Sequence, residues 1–153
     1  MGTIKGLDCE VFKRTDASTY ASPTYQRVDA VRNANYTIEN EEVDATRRGS
    51  GGNRETEITL RNVTGNMTLV KDKDDPMFLE LQTHARNKTA FEAVFYDGDD
   101  AAGSDGLDSM WKITSWEETQ DLEDIVIIEC TCKPTPDADL SLSFISDTLP
   151  TTR

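Results

Sequence analysis

Long hydrophobic runs are missing from this sequence. No window approaches the roughly eighteen apolar residues that a membrane-spanning helix needs. Met1 to Lys13 has no unbroken apolar stretch of signal-peptide length. Only 36% of the 153 residues are hydrophobic, so the core must be thin. A chain of this size still buries about 70% of its unfolded surface, enough to fold without disulfides or metal. Cysteine is scarce and odd in number (Cys9, Cys130, Cys132), which a secreted disulfide scaffold rarely tolerates. His84 is the lone histidine, and no G-x-S-x-G, phosphate-cradling glycine loop or H-E-x-x-H occurs. Positive charge is short as well: sixteen Lys+Arg against twenty-nine Asp+Glu give a net charge of −13. Gripping nucleic acid or an anionic membrane needs clustered cations, so both are disfavoured. A surface that nucleic acid passes without sticking is not excluded. These absences predict a soluble, non-enzymatic protein made in the cytoplasm, with no cofactor and no membrane contact.

What the chain does have is threonine, nineteen in all, and β-branched residues favour half-buried strands. Several segments alternate with the two-residue period of a strand. Leu7, Cys9 and Val11 alternate with Asp8 and Glu10, and Ala34, Tyr36 and Ile38 with Asn35, Thr37 and Glu39. Ile58 and Leu60 follow one parity while Val63, Met67 and Leu69 follow the other. A switch near Arg61-Asn62 implies a bulge or corner, because a one-residue slip swaps the faces of a strand. Phe91 to Tyr96 is apolar on both sides and reads as central. Met110 to Trp116 and Ile125 to Lys133 complete the set, with a last strand hinted at by Leu140, Leu142 and Phe144.

One segment, about residues 75–87, reads as a helix. Asp75 is a good N-cap and Pro76 suits the first turn. Phe78, Leu81 and Ala85, with Met77, make the apolar stripe, and Asn87 can close the C-terminus. Many strands plus one flanking helix predict a mainly β fold, an antiparallel β-sandwich or rolled barrel. Long loops are expected at about 13–30, 40–56 and 97–108, inside a single domain spanning residues 1–153. The expected core includes Tyr36, Ile38, Phe78, Leu81, Phe95, Val126, Ile128, Cys130 and Cys132.

Two metal readings are weaker than their structural counterparts. In the loop 97–108, Asp97, Asp99 and Asp108 match calcium-loop positions, but Ala101, Ala102 and the terminal Asp do not. A solvated acidic loop is the better account. Cys130-Thr131-Cys132 lacks the spacing of a zinc pair. Val126, Ile128, Cys130 and Cys132 share one strand face, where buried thiols act as small hydrophobes. Trp111 and Trp116 have opposite parity, which predicts one core residue and one contact residue. His84, late in the helix, reads as an exposed cation beside the dipole. Glu41-Glu42 and Glu117-Glu118 would point to opposite faces of a strand, so carboxylate catalysis has no positive support.

Read in order, several segments resemble the tail tube proteins of long-tailed bacteriophages. The run begins with Glu42-Val43-Asp44-Ala45-Thr46-Arg47-Arg48-Gly49 between two strands. It continues through the Asp74-Asp75-Pro76 helix, Asn87-Lys88-Thr89, Trp111-Lys112-Ile113-Thr114-Ser115-Trp116-Glu117 and Leu122-Glu123. It closes with Glu129-Cys130-Thr131-Cys132-Lys133-Pro134-Thr135, so that about residues 30–135 are covered. The cysteine pair departs from a pattern that favours aliphatic residues there.

The resemblance implies a β-sandwich or barrel with one flanking helix, assembled as hexameric rings that stack into a tube for DNA. Tail-tip, tape-measure and terminator proteins are the implied partners, DNA is passing cargo, and the location is the virion tail. It also implies that the loop carrying Val43, Asp44, Thr46, Arg47, Arg48 and Gly49 touches the neighbouring ring. For the two arginines a merely solvated loop stays open. The alternatives are a tube of a contractile or secretion-type injection system and a lone β-sandwich adaptor that never stacks. An enzyme ranks third.

Overall fold

The computed structural model describes residues 9–98, 104–135, 137, 140–146 and 148–152. Among these, eight strands and one α-helix follow as β1 (Glu10–Arg14), β2 (Tyr25–Arg27), β3 (Val31–Asp44), β4 (Thr56–Val70), α1 (Pro76–Asn87), β5 (Phe91–Tyr96), β6 (Gly106–Thr119), β7 (Ile127–Pro134) and β8 (Ser143–Ile145). Every pairing is antiparallel, in the order β2-β1-β5-β6-β7-β4-β3, with β8 joined to β6. The sheet rolls over on itself. Phe95 of β5 meets Tyr36 of β3 at a ring separation of 6.3 Å, although three strands lie between them in the order. The result is the expected mainly β fold with one flanking helix.

Alternation decides which side chains the roll encloses. Val11, Val63, Met67, Leu69, Phe91, Phe95, Leu107, Trp111, Ile128, Cys130 and Cys132 share the main core with Met77, Phe78 and Leu81 of the helix. A second, smaller cluster of Phe12, Val94, Tyr96 and Leu149 covers the opposite face of β1 and β5. All six residues of β5 are therefore buried, as a run apolar on both sides requires. The helix begins where Asp75 accepts a hydrogen bond from the Met77 N–H at 3.0 Å, with Pro76 in its first turn. It ends at Lys88, which takes the left-handed conformation (φ 59°) just beyond Asn87. Gly65 lets the core close: a Cβ there would lie 3.1 Å from Phe95 and 3.3 Å from Trp111.

Several expectations need correction. Tyr36 and Ile38 have the inward parity but are 44% and 38% exposed, because β3 is an edge strand that pairs only with β4 among the described residues. Val126 is half-buried and precedes β7 rather than lying in it. Cys9 precedes β1 and is exposed; Leu7 and Asp8 fall outside the described residues. The loop at 13–30 contains β2 and loses Lys13 and Arg14 to β1. The loop at 40–56 shrinks to 45–55, since β3 continues to Asp44 and β4 starts at Thr56. The end of the 97–108 loop is strand: Leu107 and Asp108 are buried in β6, and residues 99–103 lie outside the described set. Trp111 and Trp116 both pack inward, because a bulge between Ile113 and Ser115 resets the parity and sets Trp116 opposite Cys130.

Candidate functional site

The most exposed regular structure is the hairpin formed by β3 and β4. Asn40 faces Arg61 but Glu42 faces Ile58, so β4 carries one extra residue here. This bulge is the parity switch read near Arg61-Asn62. Tyr36, Ile38, Val43, Ile58 and Leu60 are exposed along this hairpin. Apolar side chains gathered on one projecting element mark a contact surface.

The tip of the arm has a tied base and an open end. Ala45 N–H donates to Glu55 O at 2.9 Å, and the Glu55 N–H donates to Thr46 Oγ1 at 2.9 Å. Thr46 N–H donates to Asp44 Oδ1 at 2.9 Å. Hydrogen bonds from the Thr46 side chain and backbone hold the Asp44 carboxyl below its ordinary pKa. Past this base come Arg47, a 3-10 turn at Arg48–Ser50, then Gly51 and Gly52 at φ 65° and 84°, in the left-handed region that glycine adopts freely. Arg47 Nε lies 4.0 Å from Glu55 Oε2, with the arginine side chain 80% exposed. Val43 and Asp44 thus belong to β3, while Thr46, Arg47, Arg48 and Gly49 form the loop.

Two ladder edges are open among the described residues. β3 pairs only with β4. Residues 112–119 of β6 pair only with β7, since β5 stops at Trp111. The four strands β6-β7-β4-β3 therefore form a sheet with a free edge on each side. Its outward face is polar throughout the middle. Thr131 Oγ1 donates to Asn66 Oδ1 at 3.1 Å, and Asn66 Nδ2 to Asn35 Oδ1 at 3.1 Å. Glu117 stands opposite Glu129, and Lys112 opposite Lys133. Like charges placed directly opposite cost stability, so this arrangement is not explained by folding alone.

A buried charge cluster was missed by the sequence reading. Lys13 has no exposed side-chain surface, and its Nζ lies 2.7 Å from Glu80 Oε2 and 3.2 Å from Asp16 Oδ1. His84 Nε2 lies 3.0 Å from Asp16 Oδ1, and Nδ1 lies 2.7 Å from Thr89 Oγ1. His84 is not the exposed cation expected of it: its side chain is only 11% exposed. Burial and then the Lys13 charge push its pKa down, against the pull of Asp16 and Glu80. Asp16 stays below its ordinary value because Lys13 and His84 together outweigh the burial that would raise it. Lys13 shares parity with Val11, which was the available signal.

The cysteine pair is core. Cys130 and Cys132 are buried, and the hydrogen bond the two thiols share, together with burial, pushes the Cys132 thiol well up. Among the described residues, no three of His, Cys, Asp and Glu gather as a metal site, and no helix is long and apolar enough to cross a membrane.

No protein-family model matches this chain, and no curated protein matches it by sequence. Solved structures do match its shape. The tail of an empty gene transfer agent particle, computed with C6 symmetry, superposes with a TM-score of 0.73 at 17% identity, covering 94% of this chain and 99% of the other. The SPP1 tail tube gives 0.66 at 16% identity, with 86% and 75% covered. The sheath–tube complex of an extracellular contractile injection system gives 0.63 at 9% identity, with 95% and 93% covered. The chain has the fold of the tail tube proteins.

Proposed function

We propose that this chain is a structural subunit of a phage-type tail tube, built as stacked hexameric rings whose channel conducts DNA. One observation carries the reading: a four-stranded sheet with a free edge on both sides, polar on its outward face, within a tail tube fold. An unpaired edge is a template for strand addition. When the two edges belong to different strands, β3 of one copy meets β6 of the next, and such a heterologous contact closes into a ring. The sixfold order is supported by the C6 gene transfer agent tail. The outward face then lines the channel with Glu39, Glu41, Glu117 and Glu129 against Lys112 and Lys133. An excess of carboxylates over an Asn–Thr ladder repels phosphate. The arm at 45–55 is the ring-stacking element, and the exposed Tyr36, Ile38, Ile58 and Leu60 are covered on assembly.

Negative-stain electron microscopy across concentration, with light scattering for mass, tests this. Rings or tubes with a central hole are the expected result; a monomer or dimer at every concentration favours a β-sandwich adaptor. The contractile-system tube is a second reading, favoured by the 0.63 superposition. A protein-filled channel instead of one passing DNA would select it.

A further inference from the structure

Sulfur is concentrated on the inner face of β7. Cys130 and Cys132 stand two residues apart on one strand, so both side chains leave the same face. That face looks into the main core, where Cys130 is 2% and Cys132 0% exposed. The two thiols share a hydrogen bond. They therefore turn toward each other instead of packing as two independent small hydrophobes.

A third sulfur faces them. Met67 of β4 is the ladder partner of Cys130, lies in the same core and is 2% exposed. Directly opposed residues on antiparallel strands keep their Cβ atoms about 5 Å apart, a span the flexible thioether bridges. Trp116 of β6 stands opposite Cys130 on its other flank. Cys132 faces Gly65, which brings no Cβ, and the rings of Phe95 and Trp111 close the space above that glycine. Among the described residues, no histidine or carboxylate joins the two thiols.

This donor set is selective. Zinc closes a four-ligand shell of thiolate, imidazole or carboxylate, and calcium and magnesium take oxygen. Neither set is present around the pair. Thiolate and thioether sulfur suit Cu(I). Charge points the same way, because a buried apolar site tolerates no uncompensated ion. A monovalent cation that replaces the proton the thiols share leaves their total charge unchanged. One S–H bond breaks, one S–Cu bond forms and the proton leaves to solvent, while the second thiol and the thioether donate lone pairs.

We infer that Cys130, Cys132 and Met67 form a three-sulfur site for a soft monovalent cation of the Cu(I) class. Its ligands come from two neighbouring strands. A bound ion pins β4 to β7 on the inner face, where Thr131 and Asn66 already tie them on the outer one. The site goes beyond the tube reading and does not depend on it.

Anaerobic titration of the folded protein with Cu(I), against a chromophoric Cu(I) chelator, tests it. Cys9→Ser is the background, since the exposed Cys9 thiol binds Cu(I) on its own account; it leaves Cys130 and Cys132 as the only thiols. The expected result is uptake of one Cu(I) per chain, a thiolate-to-copper band in the ultraviolet and quenched tryptophan fluorescence. Adding Cys130→Ala/Cys132→Ala should abolish all three, with circular dichroism to confirm the fold. Adding Met67→Leu instead keeps the core volume and both thiols, and it should lose Cu(I) to the chelator where its parent keeps it. If Cys9→Ser takes up no Cu(I), or does so only once urea has unfolded it, the site is overturned. Uptake that survives in the double alanine variant also overturns it. A Met67→Leu variant that holds Cu(I) as tightly as its parent overturns the three-sulfur set.

Discussion

Lys13 Nζ and Glu80 Oε2 lie 2.7 Å apart, and the lysine side chain has no surface left in contact with solvent. The pair ties β1 to the middle of α1, and Asp16 at 3.2 Å adds the loop that follows β1. A lysine is almost never buried this deeply without such partners.

Removing one partner therefore leaves the others stranded. Lys13→Met keeps the aliphatic volume but leaves Glu80 and Asp16 facing one another without their cation. The expected loss is about 3 kcal/mol, the lower end for breaking a buried pair, since Glu80 is partly solvated. Urea denaturation reads it as a lowered midpoint at unchanged slope. A double change, Lys13→Met/Glu80→Met, should recover part of that loss.

The same cluster makes stability depend on pH. His84 is held neutral, with its folded pKa below the ordinary 6.5, so its contribution is present above 6.5 and is lost as pH falls through the depressed value. Asp16 is held charged, its pKa below 3.8, so its contribution is present above 3.8 and is lost on further acidification. The groups facing His84 are Lys13 from β1, Asp16 from the following loop, Glu80 from α1 and Thr89. Thermal melts from pH 8 downward should show a first decline just below neutrality and a second in strong acid. His84→Gln should remove the first and leave the second.

The stacking role assigned to the arm predicts a split between fold and assembly. Arg47→Glu/Arg48→Glu alters only exposed side chains, so the melting temperature should hold within what about 0.5 kcal/mol produces. Tube formation should weaken by at least tenfold in the concentration required, measured by sedimentation. Normal tubes from the double variant would sink the stacking role.

Much of the architecture is legible in the residues themselves. Asp75, Pro76 and the Met77–Phe78–Leu81 stripe specify the helix locally, because cap and apolar face obey nearest-neighbour rules. The β4 bulge announces itself as a parity switch, since Val63 and Ile58 must both turn to the same side. Parity fails where depth matters. Tyr36 and Ile38 face inward, yet β3 is an edge strand paired only with β4 among the described residues, and only tertiary placement shows that. It fails again at Trp116, where a bulge at Thr114 leaves no mark in the sequence. Lys13 and His84 were misjudged for one shared reason: their partners, Glu80 and Asp16, lie more than sixty residues away from one or the other.

The outward sheet face places stability and function in opposition. Glu117 and Glu129 are directly opposed across β6 and β7, and both are exposed. Glu129→Lys replaces repulsion with a cross-strand attraction and should stabilise the fold by about 0.5–1 kcal/mol, raising the melting temperature slightly. In an assembled tube the same change places a further cation on the face assigned to the channel. Tubes of the variant should then retain short duplex DNA at low salt and release it as salt rises, while wild-type tubes should not retain it. If the variant is stabilised but its tubes remain indifferent to DNA, this face does not line the channel. The lateral arrangement of β3 and β6 would then have to be reversed.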